Sequence, residues 1–317
     1  MPSPLVTVIC LCYNHARFVR EAIESVLVQS YPSVQLIVVD DASTDGSVDE
    51  INKILSRQNV EFISLEENIG NCRAFNKGLA LAKGEFVIDL AADDVLMADR
   101  IEKQVALFQS IPPEYGVVFS DAEYIDEHGV TLKYHFDYLL QKGLLYNIPQ
   151  GEVYADVVAK YFIPSPTMMM RRSVLEMLGG YDESLAYEDF DFWVRSSRFC
   201  KYAFLHERIT KIRKSRTSMS AGWYQRGDRQ LHSTYLVCKK VQALNREQKE
   251  VDALVQRVRF ELRQSVFSKN VREAKLFFDL LTEITHPTFP DKLMMHLLKV
   301  PLPLPWLRKA YHKLKYS

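Results

Sequence analysis

Apolar positions in the first 120 residues follow two alternating periods. Val6–Cys12 and Val34–Val39 are continuous apolar runs, which predict strands buried on both faces. Between them Phe18, Ala22 and Val26, flanked by Val19, Ile23 and Leu27, recur at helical spacing. Val48, Ile51, Ile54 and Leu55 mark a second helix, with Ser43, Thr44 and Asp45 as suitable caps. Val60–Leu65, Phe86–Leu90 and Val117–Tyr124 read as further strands. Ala74–Ala82, stopping at Gly84, and a stripe of Ile101, Val105 and Phe108 read as helices. Strand and helix in this rhythm predict an α/β fold, a mainly parallel sheet covered by helices.

The pattern then changes. Residues 126–166, rich in Tyr and Gly, are expected to be loops, and Arg171–Gly180 a short helix ended by a glycine pair. A charge-dense stretch covers Asp182–Asp191. Beyond residue 225, Val251, Leu254, Val255, Val258, Leu262 and Val266 form one helical stripe, and Ala274, Phe277, Phe278, Leu281 and Ile284 another. Pro287 and Pro290 are expected to break the chain after it. The expected organisation is a catalytic domain over residues 1–224 and a helical appendage over 225–317.

Composition is ordinary for a globular chain of 317 residues, with 47% apolar and 25% charged residues. Forty basic residues balance 40 acidic ones. They are segregated, however: residues 1–110 hold 9 Lys/Arg against 16 Asp/Glu, residues 111–194 hold 5 against 14, and residues 195–317 hold 26 against 10. Segregation of this kind concerns partners more than fold. The five cysteines lack a CxxC pair, so a reducing compartment is expected. Cys10 and Cys12, with His15 nearby, could approach a metal, but structural zinc takes four ligands at closed spacing, and buried core thiols are the preferred reading. The N-terminus has no secretory pattern, and no window of about 20 apolar residues predicts a transmembrane helix.

The chemistry lies in acidic clusters at predicted strand ends, where parallel sheets bind ligands. Asp93-Asp94 suits a hard cation such as Mg2+ or Mn2+, which takes one or two carboxylates and completes its shell with phosphate oxygens and water. Helix capping is the competing reading. Asp40-Asp41 could cap a turn or accept an N–H from a pyrimidine base. In Glu188-Asp189, with Asp191 following, a carboxylate in a cleft could take a proton from an attacking hydroxyl. A solvated helix N-terminus is the competing reading there.

Taken in order, these pieces resemble family 2 glycosyltransferases of the GT-A fold, from Val6 to about Ser220. The motifs are the segment from Val6 to His15, Ser25–Pro32, Val39–Ser47, Glu67–Gly70, Asn76–Gly78, Gly84–Phe86, Ala91-Ala-Asp-Asp94, Gly179–Glu183 and Glu188-Asp189. The resemblance implies an inverting enzyme that moves one sugar from a nucleotide-sugar donor, UDP-linked, to a hydroxyl of a glycan or lipid-linked acceptor in surface polysaccharide biosynthesis. It implies that Tyr13 stacks on the nucleotide base and Asp41 accepts its ring N–H. Asp93 and Asp94 would serve the ribose and metal, with Asp94 the first metal ligand. Asp189 would be the general base beside Glu188, and Gly179 and Gly180 would allow close approach near the sugar. Ala91 stands where the family often has Asp. Ile212-Arg213-Lys214-Ser215 stands where a late Tyr-Arg-x-His is common, so Arg213, Lys214 and Arg216 are expected to meet phosphate instead. A non-catalytic nucleotide-sugar binding protein of the same fold is the alternative. A Rossmann dehydrogenase is set aside because no GxGxxG follows the first strand.

The helical last third is expected to be a packing or homodimer surface, or a peripheral attachment to the inner face of the cytoplasmic membrane. Met294–Leu307, Trp306 and Tyr311 with their Lys/Arg neighbours would suit the latter, and neither reading outweighs the other. No nucleic-acid partner is expected.

Overall fold

A computed structural model describes residues 3–56, 58, 60–215 and 224–300. They form two compact units. The first comprises Met1–Val153, Ile163–Ser184 and Arg195–Ser215. The second comprises Tyr154–Phe162, Leu185–Val194 and the described part of Arg216–Ser317.

The first unit opens with β1 (Val6–Cys12), α1 (Val19–Leu27), β2 (Val34–Asp40), α2 (Ser47–Leu55), β3 (Glu61–Ser64), α3 (Asn71–Leu79) and β4 (Phe86–Ala91). All seven residues of β1 are buried, as an apolar run covered on both faces requires. There follow β5 (Val95–Leu96), α4 (Arg100–Ser110), β6 (Tyr115–Ile125), β7 (Thr131–Tyr134) and α5 (His135–Gln141). Beyond α6 (Tyr154–Ala159), which belongs to the second unit, come β8 (Met169–Arg171), α7 (Arg172–Leu178), α8 (Asp189–Ser196), which also belongs to the second unit as far as Val194, and β9 (Lys201–Arg213).

The strands form one sheet in the order β3-β2-β1-β4-β8-β6-β9-β5, with β7 paired to β6. The half from β3 to β4 is parallel. In the other half β8 runs antiparallel to both β4 and β6, and β5 antiparallel to β9, so the α/β sheet is mixed. The parallel register levels three strand ends: Leu11 lies opposite Val39 and Ala91, and Cys12 opposite Asp40. Tyr13, Asp41 and Ala92-Asp93-Asp94 therefore leave the sheet along one edge. Helix α3 approaches β1 closely because residue 78 is glycine: a Cβ there would overlap the Ile9 side chain.

The structure differs from the sequence pattern in the middle of the chain. Residues 126–166 are not all loop, since β7, α5 and α6 fall within them. The 13-residue β9 was not predicted: its Lys, His, Glu and Arg residues mask a strand that pairs along the length of β6.

The second unit is helical where described. It contains α6, the start of α8, α9 (Arg229–Leu244), α10 (Gln248–Phe267), α11 (Val271–Ile284) and α12 (Phe289–Leu297). Helix α10 packs against α6, α9, α11 and α12. Its stripe of Leu254, Val258, Leu262 and Val266 is fully buried. Pro290 does not break the chain but sits in the first turn of α12, where its missing N–H has no partner to lose. A capping box between Thr288 and Asp291 starts that helix.

Candidate functional site

The loop after β1 is bound to the loop after β2. Asn14, in the left-handed region at φ 57°, donates its N–H to Ser43 Oγ at 2.8 Å, and its Oδ1 accepts from Thr44 N at 2.8 Å. His15 N donates to Ser47 Oγ at 2.9 Å, and Ala16 N to Asp45 Oδ2 at 2.9 Å. Asp40 Oδ1 accepts from Ser43 N at 2.8 Å. The polar run Ser43–Ser47 thus acts as a template for the first loop. Tyr13, 48% exposed, stands on this braced frame with its ring open to solvent.

Asp41 is buried, and both its oxygens are used. Oδ1 accepts from Ile69 N at 2.7 Å and Oδ2 from Gly70 N at 2.9 Å, immediately before α3. Charge-assisted bonds contribute about 1.5–3 kcal/mol each, and a helix N-terminus adds to them. The charge of Asp41 is therefore compensated within the protein. Each oxygen keeps a lone pair beyond its amide.

Asp94 differs. It is 3% exposed, and among the described residues its carboxylate accepts one hydrogen bond, from Arg213 N to Oδ1 at 2.8 Å. Desolvation of a carboxylate costs several kcal/mol even after relaxation, which one amide does not offset. Burial, then the adjacent Asp93, hold the Asp94 carboxyl well above the ordinary range, against opposing contributions from that amide, Lys214 and Arg213. Asp93 Oδ2 lies 3.9 Å from His15 Nε2, and His15 Nδ1 is buried with no partner among the described residues. Sequence reasoning linked His15 only to Cys10 and Cys12. Those thiols are buried, and burial raises both, Cys12 to about 12, which keeps them neutral.

Among the described residues no three His, Cys, Asp or Glu side chains converge as a metal cage. Two adjacent buried carboxylates, with insufficient compensation of their own, do fit a hard cation that draws its remaining ligands from a diphosphate and water.

Arg213 departs from its expected contact with phosphate. Its guanidinium is buried and bound on all three nitrogens: Nε donates to Asp93 O at 3.0 Å, Nη1 to Asp126 O at 3.1 Å and Nη2 to Glu21 Oε2 at 2.6 Å. It also lies over the Phe18 ring at 4.6 Å. Arg213 is a clamp that holds the Asp93-Asp94 turn to β9, a role invisible in sequence because buried and exposed arginines look alike there. Lys214 lies over the Tyr124 ring at 4.9 Å. Arg216 lies outside the described residues.

Gly179 caps α7 at φ 72°, and Gly180 follows at φ 79°. A Cβ on Gly180 would overlap Asn76 of α3, so the close approach recorded here is to that side chain. Asn76 accepts from Tyr181 N and donates to Tyr181 O, both at 2.9 Å. Sequence reasoning gave Asn76 no such bracing role.

Tyr13, Asp41, Asp93, Asp94, Arg213 and the glycine pair belong to the first unit, and Glu188 and Asp189 to the second. Glu188 and Asp189 are half-buried where α8 begins, and Asp191 is buried in an ion pair with Lys240 at 2.5 Å.

A raised folded-state pKa means that the folded chain binds the Asp94 proton more tightly than the unfolded chain. Stability from this group is fully present below its ordinary pKa and is lost as pH rises through the raised value. Asp94→Asn keeps an acceptor for Arg213 N and removes the buried charge. In urea unfolding of the metal-free protein it is expected to raise the midpoint at pH 7, with the gain shrinking on acidification. A lower midpoint at pH 7 would contradict this account of the site.

Comparisons with known proteins agree with this architecture. The family described as glycosyl transferase family 2 matches residues 7–179, more than half of the chain. A protein named as a glycosyltransferase in Rickettsia prowazekii is 30% identical over 213 residues, which cover 67% of this chain and 64% of that protein. The chain thus matches under two thirds of that relative's length. The structure of S. aureus TarS 1–349 in complex with UDP-GlcNAc is similar at a TM-score of 0.66 and 19% identity, covering 88% of this chain and 80% of that one. A mannosyltransferase from Pyrobaculum calidifontis, in complex with GDP-Man and Mn2+, is similar at a TM-score of 0.59 and 17% identity, covering 99% of this chain and 88% of that one. With the sheet and the family's own span in agreement, the chain belongs to glycosyl transferase family 2 and has its GT-A fold.

Proposed function

We propose that the chain transfers one sugar from a UDP-linked donor to a hydroxyl of a glycan or lipid-linked acceptor, with inversion, in the building of a surface polysaccharide. The observation that carries this reading is the levelled strand edge, where an open aromatic ring, an amide-bound carboxylate and an under-compensated carboxylate pair follow three adjacent parallel strands. Tyr13 stacks on the uracil, and Asp41 accepts the ring N–H through a remaining lone pair. Its two backbone amides fix the carboxylate for that purpose. Asp93 would hold the ribose and, with Asp94, the metal. Mg2+ or Mn2+ at this pair would stabilise the charge that develops on the departing diphosphate. UDP-GlcNAc in the TarS complex and Mn2+ in the mannosyltransferase complex support the ligand classes.

Asp189 removes the proton of the acceptor hydroxyl. The oxygen then bonds to the anomeric carbon as the bond from that carbon to the diphosphate oxygen breaks on the opposite side. Glu188 lies beside Asp189 and hydrogen-bonds the sugar. Gly179 and Gly180 keep the backbone near the sugar free of side chains.

Peripheral membrane attachment completes the reading. No helix among the described residues is long and apolar enough to cross a membrane. Helix α12 exposes Phe289 and Leu293, one turn apart, beside Lys292 and Lys299. An apolar stripe with basic neighbours suits an anionic lipid surface. Trp306 and Tyr311 lie outside the described residues.

Asp189→Asn is expected to lower kcat by about 10³-fold, the scale of a lost general base, while donor binding by calorimetry stays near wild type. Near-wild-type turnover would remove Asp189 from the role of base. For the membrane reading, Phe289→Glu with Leu293→Glu is expected to reduce co-flotation with phosphatidylglycerol vesicles. Undiminished co-flotation would exclude α12 as the attachment.

A further inference from the structure

The segment that carries Glu188 and Asp189 is anchored inside the second unit at almost every neighbouring residue. Ala186 N donates to Ser233 Oγ at 2.8 Å. The Tyr187 hydroxyl lies 2.7 Å from Thr234 Oγ1 and 2.9 Å from the Tyr161 hydroxyl. Phe190 is fully buried, edge-on to Tyr161 at 5.0 Å between ring centroids. The Arg257 guanidinium of α10 lies 3.9 Å from the Tyr161 centroid and 5.4 Å from that of Phe190. Asp191, 1% exposed, is held by Lys240 Nζ at 2.5 Å. Ser233, Thr234 and Lys240 fall within two turns of α9, so one helix holds the segment on both sides of Asp189.

An eight-residue helix such as α8 is too short to be stable by itself. Its first turn takes its geometry from these anchors. Most of them are neutral or apolar. An ion pair among them, Asp191–Lys240, lies two residues beyond Asp189. Lys240 holds Asp191, and through it the backbone of the turn that carries Asp189.

We propose that Lys240, by anchoring Asp191, is a positioning residue that sets the place of the Asp189 carboxylate during transfer. This rests on the reading of Asp189 as the base. The helices beyond residue 225 are then part of the catalytic apparatus and not merely an appendage. A displacement of about 1 Å in a reacting group costs on the order of 10²-fold in rate. Loss of this anchor therefore shows mainly in kcat, because the proposed contacts to base, ribose and diphosphate lie in the first unit and Glu188 alone carries a donor contact in the anchored segment.

The test compares the full chain with Lys240→Met, Lys240→Arg, Asp189→Asn and the double variant Asp191→Asn/Lys240→Met. Donor hydrolysis, with water as acceptor, is followed in Mn2+ using whichever member of a panel of UDP- and GDP-sugars the wild type hydrolyses fastest. Hydrogen–deuterium exchange is read over residues 186–192 in parallel. Lys240→Met is expected to lower kcat at least about tenfold with donor KM within about twofold. It is also expected to speed exchange across 186–192 while the strands β1, β2 and β4 stay protected. Lys240→Arg restores both. The double variant, which removes both charges of the pair, recovers exchange more than the single one. Unchanged exchange in Lys240→Met, unchanged kcat, or a loss confined to KM would each overturn the proposal. Full hydrolysis by Asp189→Asn would overturn the base assignment instead, and the exchange result would still decide whether Lys240 anchors the turn.

Discussion

The structure depends on one unresolved electrostatic cost, two adjacent carboxylates, Asp93 and Asp94, at the end of a buried strand. A single backbone amide from β9 meets Asp94, and burial with like-charge repulsion from Asp93 pushes its proton affinity up. Much of the neighbouring structure supports that turn. Arg213 spends its guanidinium on Asp93 O, Asp126 O and Glu21, which binds β9, α1 and the end of β6 around the pair. The fully buried Arg100 is held nearby, donating to Thr210 of β9 and to Met168 O. These cations brace the turn without neutralising it, and the remaining deficit is what a divalent cation and a diphosphate can meet. Asp41, one strand away, illustrates the contrast. Two amides and a helix N-terminus satisfy it, so it can serve as a fixed acceptor without a metal.

The parallel half of the fold was legible because β1, β2 and β4 are covered on both faces and read as unbroken apolar runs with acidic ends. The acidic ends were legible as a candidate site for the same reason, since carboxylates directly after buried strands need compensation. Strand β9 was hidden because its polar positions are either exposed, as at His206–Arg208, or buried in specific contacts, as with Thr210 and Arg213. Hydrophobic periodicity cannot distinguish the second class from surface residues. The same blindness assigned Arg213 to phosphate. The contacts of His15 with Asp93 and of Asn76 with Tyr181 were not legible because they follow from loop and helix packing, which spacing alone does not encode.

The division of the chain was the least legible feature. Residues 154–162 and 185–194 group with the C-terminal helices although long first-unit segments separate them in sequence. Their anchors are particular pairs, Tyr187 with Thr234, Asp191 with Lys240 and Tyr161 with Arg257, formed across 47 to 96 residues. No local pattern announces such pairs. A negative first two-thirds and a positive last third correspond only roughly to these units, because the acidic 185–194 stretch sits among the basic helices.

The account stands most directly on whether the strand-edge carboxylates bind a diphosphate through a divalent cation. Calorimetric titration of UDP into the wild-type chain, with Mn2+ present and then with EDTA, measures this. The account predicts binding in Mn2+ that weakens by at least about tenfold in EDTA, a coupling of roughly 1.4 kcal/mol or more. Equal affinity under the two conditions would contradict it.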